Sequence, residues 1–209
     1  MKTFSRNEDW KDTLTLFSRD IKTSENSATA NRLLGNALIK SVTASPNKKD
    51  QTDTLNIAKQ YLLRAIEIYP AYTDPLWDLG NIYYSENNFD SALYYQKKEL
   101  EADKGNVGLN YIYGNTLNKL NKYAEAIPVL NHVIELDPKH EGAYFDLALS
   151  YTNKGDQDKG FYYLSKVIEL NPKRGDAYYY SGIILKAKGD TLKAKEFINK
   201  AISLGYNIK

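Results

Sequence analysis

The chain repeats itself. Gly80, Gly114, Ala148 and Gly182 stand 34 residues apart, and Gly35 holds the same phase one unit earlier. No other feature constrains the fold as much. A fixed period of this length marks a chain of stacked helix pairs, in which no pair buries its apolar face alone. The function to expect is binding over an extended surface, not chemistry in a closed pocket.

With the small residue as position 8, units begin at Thr73, Val107, Glu141 and Gly175. Each contains two apolar patterns of helical period joined by a short polar turn: Asn87-Asn88, Asn121-Lys122, Gly155-Asp156 and Gly189-Asp190. Such turns suit antiparallel helix pairs. Position 20 is Ala92, Ala126, Gly160 and Ala194, and position 24 is Gln96, Leu130, Leu164 and Ile198. Position 27 is Glu99, Val133, Val167 and Ala201, and position 32 is Lys104, Pro138, Pro172 and Tyr206. Small residues at 8 and 20 let the two helices approach at the short end of the usual ~8–10 Å spacing. Larger apolar residues fill the space between units, and proline stops the second helix. Gln96, Glu99 and Lys104 break this pattern and suggest a looser second helix. Pro128, inside a second helix, removes one backbone bond and suggests a bend on the outer face.

The first unit is longer. Ala58, Leu62, Ala65 and Pro70 take positions 20, 24, 27 and 32, but Gly35 and Ala58 are separated by 23 residues where the other units have 12. The extra stretch includes the polar, turn-rich Ser45-Pro46-Asn47-Lys48-Lys49-Asp50-Gln51-Thr52-Asp53, which predicts a surface loop over about 41–53, either a tolerated insertion or a partner-contacting loop. Before it, Trp10, Leu14, Phe17 and Ile21 lie on one face of a helix that would cap the end of the array. At the other end Gly205 stops the last helix. Tyr178, Leu185 and Ile198 are expected to be partly bare there, which predicts weak self-association through the last repeat.

This pattern resembles the tetratricopeptide (TPR) family, with its best match at Leu76-Trp77-Asp78-Leu79-Gly80-Asn81-Ile82-Tyr83 followed by Ala92. The resemblance covers about 28–206 and implies an all-α, right-handed superhelical solenoid of five helix-turn-helix repeats plus an N-terminal capping helix. The expected segments are 1–27 for the capping helix and lead-in, then repeats at 28–72, 73–106, 107–140, 141–174 and 175–209. In that family the first helices line a concave groove. Carried onto this chain, the groove residues are Arg32, Asn36, Trp77, Asn81, Tyr84, Tyr111, Asn115, Lys119, Phe145 and Tyr179. Asparagines in register would donate to and accept from an extended peptide backbone, and aromatic rings would hold its side chains. Arg32 and Asn36 match the first pair of a terminal-carboxylate clamp, but Asp78, Gly108 and Ile112 stand where the rest of the clamp is wanted. A chaperone-tail adaptor is therefore not expected.

A second resemblance lies upstream. Arg6-Asn7-x-x-Trp10, Leu16-Phe17, Asn26-Ser27-Ala28 and Leu34-Gly35 look like the segment that joins the last membrane helix to the TPR array in polytopic mannosyltransferase-like membrane proteins. It implies that this chain is the soluble extracytoplasmic tail of a longer membrane protein. The alternative is a free-standing cytoplasmic TPR adaptor or assembly factor.

The chemistry-bearing residues are sparse. Net charge is +2, too small to point to nucleic acid. Cysteine is absent, which removes disulfides, thiol nucleophiles and thiolate metal sites. No apolar run approaches the ~18 residues of a bilayer span, so direct membrane insertion by this chain is not expected. There is no phosphate loop, nucleophile elbow or Asn-x-Ser/Thr sequon. His132 and His140 share no helical face and read as solvated surface residues. The eighteen tyrosines track the helical period and read mainly as packing. No enzyme activity, cofactor or metal is expected. The expected partner is a protein or peptide ligand in the concave groove.

Overall fold

The computed structural model describes residues 13–42 and 48–208, and eleven helices account for most of them. They are α1 (Thr13–Thr23), α2 (Ala28–Val42), α3 (Lys48–Ile68), α4 (Asp74–Ser85), α5 (Phe89–Ala102), α6 (Val107–Lys119), α7 (Tyr123–Leu136), α8 (Glu141–Asn153), α9 (Gln157–Leu170), α10 (Gly175–Ala187) and α11 (Thr191–Ser203). No strand occurs among the described residues. The chain forms two compact units, Met1–Ala102 and Asp103–Lys209. The N-terminal unit holds α1 and the pairs α2–α3 and α4–α5. The C-terminal unit holds the pairs α6–α7, α8–α9 and α10–α11.

The period is explained by contact distances. A Cβ added to Gly114 would lie 2.8 Å from Leu130, and one added to Gly182 would lie 2.7 Å from Ile198. Ala58, Ala92, Ala126 and Ala148 are fully buried. Positions 24 and 27 then reach the following repeat. Leu62 packs with Leu79 and Ile82 in the N-terminal unit, and Leu164 and Val167 pack with Ala177 and Ile184 in the C-terminal one. The turn between paired helices needs a left-handed residue. Asn87, Asn121, Gly155 and Gly189 supply it with φ of 58°, 58°, 88° and 88°. Asparagine and glycine are the residues that tolerate this region best. Side chains of Asn106, Asp156 and Asp190 cap the helices that follow them.

Several sequence expectations need revision. The stretch expected to loop over about 41–53 is helix at both ends. The other first helices end five residues past position 8, whereas α2 runs two residues further, to Val42. The other second helices begin three residues before position 20, whereas α3 begins ten before Ala58, at Lys48. Residues 43–47 lie outside the description. The polar residues read as turn-forming include Lys, Gln and Asp, which are compatible with two further helical turns. The expected loosening at Gln96 and Glu99 is absent, since α5 has 14 residues like α7 and α9. The cost falls on the side chain: Gln96 is 5% exposed and neither amide atom has a partner. Helix α7 runs unbroken through Pro128, which is exposed. Helix α1 packs on α2, while Trp10 of the expected capping face lies outside the described residues. At the C-terminal end Leu185 is buried, whereas Tyr178 and Ile198 are partly exposed as expected, Tyr178 lying against Phe197 and Ile198 against Gly182. The bare apolar residues there are Ile183, Leu192, Ile202 and Ile208.

Candidate functional site

The ten expected groove residues divide equally, with Arg32, Asn36, Trp77, Asn81 and Tyr84 in the N-terminal unit and Tyr111, Asn115, Lys119, Phe145 and Tyr179 in the C-terminal one. All lie on first helices of their repeats. In each unit some of them meet an aspartate that was not among the expected groove residues.

In the N-terminal unit this residue is Asp78 on α4. Arg32 on α2 donates from Nε to Asp78 at 3.3 Å and pairs with Asp74 at 2.8 Å. Its guanidinium also reaches the Tyr72 hydroxyl and lies 5.8 Å from that ring's centre. Burial raises the Asp78 pKa above its ordinary value, while Arg32 and a hydrogen bond from Asn36 pull it down and Asp74 adds to the rise. Arg32 is thus committed to internal carboxylates, which removes it as a clamp for a peptide terminus. The Asn36 amide oxygen is buried without a partner. Asn81, one helical turn beyond Asp78, is half-exposed and makes no side-chain bond to another described residue. Trp77 is half-buried, and Tyr84 sits edge-on to Phe89 with centroids 5.4 Å apart.

In the C-terminal unit the residue is Asp146 on α8, 6% exposed. Asn115 on α6 donates to its carboxylate at 2.7 Å, and Asn118 donates to its backbone carbonyl at 3.0 Å. The Ser150 hydroxyl lies within hydrogen-bond distance of both the Asn118 amide oxygen, at 2.7 Å, and the Asp146 carbonyl, at 2.8 Å. Burial raises the Asp146 pKa, opposed by the Asn115 bond and by the charges of Lys119 and Arg174. Arg174 pairs with Glu141 at 2.7 Å and Asp176 at 2.9 Å, and its guanidinium stacks 4.3 Å from the Phe145 ring. Phe145 also meets Tyr180 edge-on at 5.6 Å. Tyr179 packs against Tyr180 and Tyr206. Lys119 is exposed.

His140 is not the solvated residue expected. It is half-buried, its ring lies 4.4 Å from that of Tyr111, and its Nδ1 accepts from the Ala143 N–H at 3.1 Å to cap α8. Among the described residues no group of His, Cys, Asp and Glu has metal-binding geometry. The signal for the missed carboxylates was present: Asp78-Leu79 and Asp146-Leu147 occupy the same phase, two repeats apart. In each case the position-6 aspartate is held by the position-9 asparagine of the preceding repeat.

These features define a helix-pair repeat protein with polar networks fixed on its first helices. Comparison with known families gives the repeat class. Residues 114–155 match a model described as TPR repeat, and residues 141–174 and 175–204 match one described as tetratricopeptide repeat. Residues 114–204 therefore carry tetratricopeptide repeats, and the described helices have the all-α fold of TPR solenoids. Subunit CDC16 of the anaphase-promoting complex of Saccharomyces cerevisiae is 31% identical over 108 residues, 47% of this chain. The match covers 13% of that yeast protein. YrrB, described as a TPR protein with an unusual peptide-binding site, superposes with a TM-score of 0.73 at 26% identity, over 90% of this chain and 91% of its own. MamA from Desulfovibrio magneticus RS-1, from its residue 41 onward, gives a TM-score of 0.75 at 22% identity, over 85% and 94%. At that identity the second likeness shows the fold alone.

Proposed function

We propose that this chain is a non-catalytic scaffold that binds a protein or peptide segment on the first-helix faces of its repeats. The observation that carries this reading is the pre-organised face itself. Half-buried rings (Trp77, Tyr84, Tyr111, Phe145) share these faces with Arg32, Asn115 and Arg174, which internal bonds already fix, so little ordering of those groups is needed on binding. YrrB, with a described peptide-binding site on the same fold, supports it. The test is calorimetry on a peptide selected from a random display library against the full chain. Trp77→Ala and Phe145→Ala should each weaken binding about tenfold or more. Unchanged affinity in both variants would refute it.

The finer reading places the repeats on the extracytoplasmic side of a membrane, as the tail of a larger glycosyltransferase-like protein. It rests on the upstream segment, of which Arg6, Asn7 and Trp10 lie outside the described residues. No helix among the described residues is long and apolar enough to cross a membrane. Apolar segments of ~20 residues in the native reading frame upstream of this sequence would support the tail. A native start at Met1 would favour the cytoplasmic adaptor. Weak self-association through the last repeat would use Leu192 and Ile202, 73% and 54% exposed. A monomer by sedimentation at high concentration would rule it out.

A further inference from the structure

The lengthened first repeat builds a cavity. Val42 belongs to the residues by which α2 is extended, and Leu55 follows directly on the added turns of α3. With Ile39 they face Asp78, Asn81 and Ile82 of α4 and line a half-open pocket of about 320 Å³ within the N-terminal unit. That is room for about ten waters at ~30 Å³ each, and lies at the lower end of the ~300–1,000 Å³ of ligand pockets. Water there finds few partners. The hydroxyl of Ser85, on the rim, already donates to the Ile82 carbonyl at 2.7 Å. Asp78 is held by Arg32. Asn81 alone keeps an amide bonded to no described residue. Replacing poorly bonded water by an apolar group favours binding.

We propose that this cavity takes one non-polar side chain, of leucine or phenylalanine size, from an extended peptide whose backbone amide pairs with Asn81. The proposal rests on the peptide-binding reading and names the residue class it selects. Charge decides that class. The single Arg32 guanidinium is shared between Asp78 and Asp74, which leaves the mouth net negative. An aspartate or a terminal carboxylate is therefore repelled, and a lysine ammonium would have to be desolvated among Ile39, Val42, Leu55 and Ile82. The peptide enters by an internal residue. The Asn81 amide supplies both a donor and an acceptor, which match the C=O and N–H of a single residue.

The test is methyl NMR on the full chain, titrated with N-acetyl, N-methylamide derivatives of leucine, phenylalanine, alanine and aspartate. The leucine and phenylalanine compounds should shift the methyl signals of Ile39, Val42, Leu55 and Ile82. The alanine compound, which leaves most of the cavity wet, should bind at least about tenfold more weakly. Asn81→Ala should weaken the leucine compound about fivefold to tenfold while the same methyls respond. Ser85→Trp, at an exposed rim position, should abolish the shifts and leave the circular dichroism spectrum unchanged. Equal binding of the aspartate compound, responses scattered away from these four residues, no response at all, or undiminished response in Ser85→Trp would each overturn the proposal. A library-selected peptide that binds Ser85→Trp with unchanged affinity, yet loses affinity in Trp77→Ala, would overturn the cavity and leave the scaffold standing.

Discussion

Substituting alanine at two equivalent glycines should change stability in opposite directions. In Gly182→Ala the new Cβ lies 2.7 Å from Ile198 Cγ1 and 3.1 Å from the Ala194 carbonyl oxygen. Ordinary carbon contacts are ~3.5–4.0 Å. Ile198 is branched at Cβ and stiff at χ1, and the carbonyl belongs to the backbone of α11, so the helices must part. Overpacking of this kind costs about 1–3 kcal/mol, and alanine returns about 1 kcal/mol of helix propensity. The net loss is about 0–2 kcal/mol, centred near ~1, or a melting temperature lower by about 3 °C at the centre of that range for a chain this size. In Gly80→Ala the nearest atom is Gln96 Cγ at 3.2 Å, and the next lies 3.8 Å away. Glutamine is unbranched and can turn aside, so most of the propensity gain remains, worth about +2 °C. A second change tests the cause. Every repeat carries one glycine and one alanine at positions 8 and 20, and the fourth has them exchanged, as Ala148 and Gly160. Gly182→Ala with Ala194→Gly copies that exchange and should show a favourable coupling of about 0.5 kcal/mol or more. Urea titration followed by circular dichroism measures the parent, Gly80→Ala, Gly182→Ala, Ala194→Gly and the double variant. The reasoning fails if Gly182→Ala is as stable as the parent, if Gly80→Ala is the more damaging change, or if the coupling is zero.

Gln96→Leu should stabilise by about 1–2 kcal/mol, because it removes a buried unpaired amide and restores the leucine that Leu62, Leu130 and Leu164 provide at the same position; a loss in urea titration would contradict this. Arg32→Ala should destabilise by about 2–3 kcal/mol, since it strands the poorly exposed Asp78 carboxylate, and Arg32→Lys should recover only part. A melting temperature unchanged in Arg32→Ala would count against that network. Asp146→Asn tests the buried carboxylate. Burial places its folded pKa above the unfolded ~3.9, so its contribution is full below that value and declines as pH rises toward the folded pKa. The asparagine keeps an acceptor for Asn115 and carries no charge. Parent stability should therefore fall relative to the variant as pH rises from the ordinary carboxylate range, and the variant should be at least as stable at neutral pH. A variant that loses ground as pH rises would reverse the sign.

What the sequence made legible was whatever small residues and turns dictate. Gly114 and Gly182 are required by contact distance, and Asn87, Asn121, Gly155 and Gly189 by backbone sign, so each constraint acts on the residue itself. The carboxylates were not legible because a helical aspartate is usually solvated. Asp146 is buried by Asn115, Asn118 and Ser150, from another helix and from its own, and no single residue announces that. The lengthened first repeat was misjudged because Ser45-Pro46-Asn47 signals a turn, and that signal was extended over neighbours that continue the helices on either side. His140 was misjudged because its cap on Ala143 and its contact with Tyr111 depend on where α6 lies.

Beneath the 34-residue period there is a second one of twice that length, and it governs the polar chemistry. Repeats two and four share Asp78 and Asp146, Tyr83 and Tyr151, Tyr94 and Tyr162, Tyr95 and Tyr163, and Lys98 and Lys166. The contacts recur with the residues. Tyr83 stacks on Tyr95 at 5.5 Å and 2°, and Tyr151 on Tyr163 at 5.4 Å and 14°. Tyr94 meets Tyr95 edge-on at 5.0 Å, and Tyr162 meets Tyr163 at 5.2 Å. Lys98 and Lys166 lie over the outer rings of these pairs. Repeats three and five have Leu117 and Leu185 where the stacked tyrosines begin, and both are buried. Packing alone asks only for a small residue at position 8 and an apolar one at 24, which a single period satisfies. A carboxylate held by its neighbour's asparagine, and a ring stack extending from helix to helix, need two different surfaces to meet. Alternation supplies them: the odd repeats bring Asn36 and Asn115, and the even repeats bring Asp78 and Asp146. The shorter period therefore builds the backbone of the array, and the longer one places the polar sites upon it.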